Sequence, residues 1–251
     1  MDLYDRWRVP RSPFHRRFPS RSPEMALTVN RRIAVDTARR FIYFRVPKAA
    51  NSTVVRSLMA NDPSRYAKAA KRAFSRPDAL SRRQVRALPA GYFLFTVVRN
   101  PYARIASAYL DKVVRGAASP TLLSHARALK VLAHLGKPAG ASVSFAEFCR
   151  YLAEGGIDGD PHWFRQVDLI PCGPERLHFI GRVESLAVDL ASILARINGT
   201  PTPAPERDWV RHRTGANERL AALYDADTLA AVRTLYAEDF ARLGYEEAPF
   251  W

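Results

Sequence analysis

The chain has 251 residues, 47% hydrophobic and 25% charged, which suffices for a full buried core and excludes a disordered or fibrous class. No run approaches the ~18 unbroken apolar residues of a membrane helix, and the charged N-terminus has no apolar segment behind it as a secretory signal would. The formal net charge of +15 favours anionic partners such as nucleotides, polyanions or acidic membranes without choosing among them, and two cysteines are too few for a disulfide framework.

Residues 1–24 carry six Arg against three acids, interleaved with Pro and Ser and without an apolar period. This composition predicts a disordered basic tail, with a single domain over 25–251. Met25 directly after it could be an alternative start. The body keeps 33 basic and 21 acidic residues, so the positive excess belongs mainly to the folded part. Absence of a leader and an anchor leads to the expectation of a cytoplasmic protein. Cys149 and Cys172 are expected to be reduced and buried, with one bridge between them left open, and no His/Cys spacing suggests a metal.

Phe41–Val46 (FIYFRV) reads as a short buried strand, followed by a helix through Val54–Met59. Residues 62–90 are basic and read as partly helical. Phe93–Val98 (FLFTVV) is a second buried strand. Asn100-Pro101 starts a helix reaching about Arg115: Asn caps free N–H groups, and Pro at the first position loses no bond. A further helix is expected over Thr121–Leu135. Ser144 and Glu147 form a capping box for the next, closed by Gly155-Gly156. Leu177–Ile180 reads as a third strand. Leu186, Leu190, Ile193, Leu194 and Ile197 share one helical face ending before Gly199. A Pro-rich loop spans 200–217, and Leu229, Val232, Tyr236, Phe240 and Leu243 mark a last helix stopped at Gly244. Strands alternating with helices imply an α/β fold with a parallel sheet, whose ligands bind at the carboxyl ends of the strands.

Two strand–loop–helix junctions carry the chemistry. In the first, Val46-Pro47-Lys48-Ala49-Ala50-Asn51-Ser52-Thr53, a strand ends, small residues turn the chain and a helix begins. Unpaired N–H groups and the helix dipole favour an anion there, and small side chains let the backbone approach it. The Walker pattern of nucleoside-triphosphatases is absent, because this Lys precedes the small residues. In the second, Arg99 follows a strand, where its fork can take a phosphate, and Arg104 and Ser107 are spaced to share a helix face.

Together these segments resemble the donor-binding signatures of PAPS-dependent sulfotransferases, most closely the Golgi carbohydrate group that includes the HNK-1 and chondroitin/dermatan 4-O enzymes. That group has a VPKxxxT loop and an R-[DN]-P-[FY]-x-R-hydrophobic-x-S-A-[FY] segment. Here they read Val46-Pro47-Lys48 through Thr53 and Arg99 through Tyr109. The Asp160-Pro-His-Trp163, Leu169-Ile-Pro-Cys172, His178-Phe-Ile-Gly181 and Glu184-Ser-Leu186 blocks, then Leu235–Phe240 with Leu243-Gly-Tyr245, continue the resemblance over about 41–251. Asn51 departs from the small or Cys residue usual in the loop, Val54 and Val55 stand where an aromatic is usual, and the N-terminal anchor is missing.

The resemblance implies a P-loop-NTPase-like three-layer α/β fold and sulfuryl transfer from PAPS to a hydroxyl, on a carbohydrate, with PAP leaving and no metal. The acceptor expected is a glycan or glycolipid, with the basic body hinting at an anionic one. By the resemblance, residues 47–53 hold the 5′-phosphosulfate and Arg99, Arg104 and Ser107 the 3′-phosphate. Lys48 would neutralise the leaving phosphate, with loop N–H groups, Ser52 and Thr53 on the sulfuryl oxygens. His162 is the candidate base, set against a structural role packed beside Trp163. His212, flanked by Arg211 and Arg213, is the second candidate, and Glu184 a carboxylate alternative. A P-loop nucleotide kinase or a non-catalytic nucleotide-binding protein is the rival reading. No nucleic-acid signature accompanies the charge.

Overall fold

A computed structural model describes residues 3–59, 74–117, 122–200 and 220–251. In chain order the main elements are α1 (Leu3–Arg11), α2 (Pro13–Arg17), α3 (Pro23–Arg32), β1 (Ile33–Asp36), β2 (Phe41–Arg45), α4 (Asn51–Leu58) and α5 (Arg82–Arg86). There follow β3 (Phe93–Val98), α6 (Pro101–Tyr109), α7 (Leu122–His134), α8 (Phe145–Ala153), β4 (Phe179–Arg182), α9 (Leu186–Asn198), α10 (Ala226–Leu235) and α11 (Ala237–Leu243). The chain divides into two compact units, Met1–Val98 with Gln166–Glu206, and Arg99–Arg165 with Arg207–Trp251.

The first unit holds a four-stranded sheet in the order β1-β2-β3-β4. β2, β3 and β4 run parallel, as the alternation of strands and helices predicts, while β1 adds an antiparallel edge. Every residue of β2 is buried, and so is all of β3 after Phe93. Tyr43 and Phe95 stack across this pair with centroids 4.9 Å apart. β4 begins two residues later than its apolar run suggests. The His178 N–H donates to the Leu94 carbonyl, but the Leu94 N–H donates to His178 Nδ1 instead of a backbone carbonyl. The regular ladder therefore starts at Phe179.

Leu3–Arg11 and Pro13–Arg17 are helical, where the composition predicts a disordered tail. Val9, Phe14 and Phe18 are buried, and the Arg17 guanidinium donates to the carbonyls of Val85 and Leu88. α3 opens on Ser22, whose hydroxyl accepts from the Met25 N–H, with Pro23 at its first position. Its last carbonyls are taken by the buried Arg45, which donates from Nε to Arg32 O and from Nη2 to Arg31 O. Burial draws the Arg45 guanidinium down to about 10.

The second unit is helical. Asn100 caps α6 by accepting from the Tyr102 N–H, and α6 runs on into a π-helical turn, Leu110–Val114, inside the single helix the sequence suggests. Both bonds of the Ser144–Glu147 capping box are formed. Lys137 and the Ser144 N–H hold the Glu147 carboxyl down at about 2. Tyr102, Tyr109, Phe148, Trp163, Tyr236 and Phe240 form the core. The last helix is two, α10 and α11, because Tyr236 leaves helical dihedrals while its hydroxyl donates to the Trp163 carbonyl at 2.6 Å. Gly199 and Gly244 take the left-handed C-cap conformations expected of them. Cys149 and Cys172 are buried free thiols.

Candidate active site

In the first unit, β2 ends at Arg45 and the chain turns through Val46–Ala50 into α4. Val46 and Ala49 are fully buried, while Lys48 and Ala50 adopt positive φ, 68° and 51°. A left-handed conformation costs a non-glycine residue roughly 1–2 kcal/mol, and here two such residues bracket Ala49. Ala50 is the N-cap of α4 and has no side chain with which to cap it. The first N–H groups of α4, from Asn51 to Thr53, thus start a helix without a side-chain cap, the arrangement that suits a bound anion. Asn51 Oδ1 is buried without a hydrogen-bond partner among the described residues. Ser52 is exposed and Thr53 half-buried. Pro47 is buried and Lys48 half-buried.

Arg99 directly follows β3, the strand paired in parallel with β2, so both junctions leave the carboxyl ends of neighbouring strands. Arg99 and Ser107 are half-buried. Arg104 is different. Its side chain is fully buried, and it donates from Nη1 to the Phe164 carbonyl at 2.7 Å and from Nη2 to Pro161 O at 3.5 Å. These bonds turn the Arg104 guanidinium to the Pro161–Phe164 turn, where the sequence leads one to expect a 3′-phosphate. The spacing that places Arg104 and Ser107 on a common face is helical, but at Arg104 that face is core. Burial pushes its guanidinium down, and the buried Asp239 opposes the shift.

The turn that Arg104 grips carries His162. Asp160 Oδ1 accepts from the His162 backbone N–H at 2.9 Å, as in an Asx turn, and lies 2.5 Å from His162 Nδ1. Asp160 Oδ2 accepts from Arg127 Nε on α7, also at 2.5 Å. Burial alone would raise the Asp160 carboxyl, but its bonds to His162 and Arg127 outweigh this and hold it well below the usual carboxylate range. Trp163 is buried beside His162, with its indole N–H donating to Gly156 O at 2.8 Å. The packing anchor of the turn is therefore Trp163, while His162 keeps its side chain at 14% exposure. The bond from Arg127 to Asp160 was not legible in the sequence, since nothing in α7 marks it.

Glu184 sits half-buried on the turn after β4 in the first unit. Arg211, His212 and Arg213 lie outside the described residues. Among the described residues no three His, Cys, Asp or Glu side chains gather as metal ligands would.

The sulfotransferase family model matches residues 31–246 of the chain. The chain belongs to that family. Carbohydrate sulfotransferase 14 of Danio rerio is 33% identical over 210 residues, covering 76% of this sulfotransferase chain and 56% of the relative. The Mus musculus protein of the same name is 30% identical, covering 69% of the chain and 48% of the relative. Carbohydrate sulfotransferase 10 of Mus musculus is 28% identical, over 63% of the chain and 48% of the relative. The chain thus spans about half the length of the curated relatives it matches. No solved structure matches it.

The relatives also correct the expected cytoplasmic location. The homologous carbohydrate sulfotransferases are Golgi residents, and an argument from a missing anchor has no force in a chain that spans half of them. Among the described residues no helix is long and apolar enough to cross a membrane.

Proposed function

We propose that this sulfotransferase-family chain transfers the sulfuryl group of PAPS to a carbohydrate hydroxyl and releases PAP. The observation that carries this reading is the Val46–Thr53 loop, where two left-handed residues and an uncapped helix start follow a buried parallel strand. The loop's small residues and the helix start without a side-chain cap fit a 5′-phosphosulfate. Arg99 and Ser107 are assigned to the 3′-phosphate by resemblance to the family signature.

In the step itself the acceptor oxygen forms a bond to sulfur as the bridging S–O bond breaks. The electron pair of that bond goes to the 5′-phosphate oxygen of PAP, and the hydroxyl proton goes to His162. Charge develops on the leaving oxygen, so Lys48 is assigned to neutralise it. The names of the relatives favour a glycan acceptor, and the net charge of +15 favours an anionic one.

Calorimetry with PAP, with and without magnesium, tests donor recognition, and ATP in the same titration tests the kinase reading. Binding of ATP in preference to PAP would overturn the proposal. Radiolabelled PAPS against a panel of glycans, glycolipids and phenols then tests transfer: label on a glycan is expected, and label on none of them leaves a nucleotide-binding protein without this activity.

A further inference from the structure

Asp160 is the meeting point of a guanidinium and an imidazole in the second unit. Arg127 comes from α7 and is 24% exposed, and His162 comes from the same turn as Asp160. The carboxylate cannot swing, because Oδ1 is held by the His162 backbone N–H while Oδ2 is held by Arg127 Nε. With an ionised carboxylate against Nδ1, a neutral imidazole carries its proton on Nδ1 and its lone pair on Nε2. The other charged or titratable groups about this turn are Asp158 on the same stretch, Lys130 on α7, Tyr151 on α8 and the buried Arg104 on α6. None of these donates to Asp160 in the described contacts, whereas Arg127 does.

We propose that Arg127 is a positioning residue for sulfuryl transfer, anchoring Asp160 so that His162 presents Nε2 as its basic nitrogen. This rests on the reading of His162 as the base. Arg127 does two things at once. It fixes the carboxylate that orients the ring, and its charge offsets the carboxylate, which would otherwise hold the proton on His162 to higher pH. Arg104 supports the same turn from beneath through the carbonyls of Pro161 and Phe164.

The test needs no acceptor. The chain has six histidines, so nitrogen-15 NMR of labelled histidine can follow each ring, with His162→Gln assigning its signal. In the wild type, neutral His162 is expected as the Nδ1–H tautomer. In Arg127→Gln its titration should move up by about one pH unit and the tautomers should mix, while the other five rings stay put. Arg127→Lys keeps the charge and should restore most of the titration but less of the tautomer purity. With an acceptor in hand, Arg127→Gln should lower kcat roughly 10- to 100-fold at unchanged PAPS KM, less than loss of the base itself.

An unaltered titration and tautomer in Arg127→Gln would overturn the proposal while leaving His162 as base. If Arg127→Gln does not fold, the tautomer in Arg127→Lys decides: Nδ1–H purity equal to that of the wild type there counts against the proposal, whatever the titration. Near-normal turnover in His162→Gln would instead remove the base, and with it the catalytic meaning of Arg127.

Discussion

Arg104 Nη1 donates to the carbonyl of Phe164 at 2.7 Å, so an arginine inside the phosphate-signature segment is committed to the turn that carries His162. Removing that side chain would take the donor from the Phe164 and Pro161 carbonyls and a countercharge from near the buried Asp239. Arg104→Ala is expected to cost roughly 3–5 kcal/mol of stability, the range for breaking a buried charged contact from one side. Urea unfolding measures it. Unchanged unfolding together with weakened PAP binding would return Arg104 to the phosphate.

Arg99 and Lys48 should separate by kinetics. Arg99→Ala is expected to raise the PAPS KM with little change in kcat, because the 3′-phosphate is remote from the breaking bond. Lys48→Ala is expected to lower kcat far more than donor affinity, since its charge matters most as the leaving oxygen gains charge. A pair of variants with these effects interchanged refutes both assignments.

What the sequence disclosed follows the kind of signal each residue leaves. β2 and β3 are continuous apolar runs, and the Ser144 box and the Asn100 cap are local, so all were legible. The helix face at Arg104 was legible too, but spacing does not say whether a face points to solvent or core. Arg127 meets Asp160 across 33 residues only because α7 packs there, and no local pattern records that. Small residues announced the loop at 46–53, yet its left-handed Lys48 and Ala50 leave no glycine to mark them. In residues 1–24 the abundant Arg and Pro masked a sparse set of apolar anchors, Val9, Phe14 and Phe18.

Those anchors tie the N-terminal segment to the rest of its unit. Phe14 is fully buried against Phe18, with centroids 5.2 Å apart. Phe14→Ala is expected to cost about 3–5 kcal/mol, the usual range for truncating a buried Phe. Deletion of residues 1–24 should cost at least as much, because it also exposes the surface beneath and removes the Arg17 donors from the carbonyls of Val85 and Leu88. Thermal unfolding decides: an unshifted midpoint in both variants would mean that this segment contributes nothing to the fold.

The same segment should make stability fall on mild acidification. His15 is 2% exposed, and its Nε2 lies 3.1 Å from Asn30 Oδ1. That oxygen also accepts from the Asp78 N–H, while Asn30 Nδ2 donates to the Asp78 carboxylate, so the amide is fixed and Nε2 must be the donor. Nδ1 is buried without a partner among the described residues. Protonating it would bury a charge with no acceptor. Burial accordingly lowers the His15 imidazole from its ordinary 6.5, against the opposing pull of Asn30 and Asp78. The unfolded chain then binds a proton that the folded chain refuses. The contribution of His15 is present in full above the unfolded value of about 6.5 and is lost as pH falls from there through the folded value. His15→Gln keeps an N–H donor for Asn30 but cannot titrate. The wild-type unfolding midpoint is expected to drop between pH 7.5 and 5.5, and the His15→Gln midpoint to drop measurably less. Equal drops in the two proteins would assign the acid sensitivity to other groups.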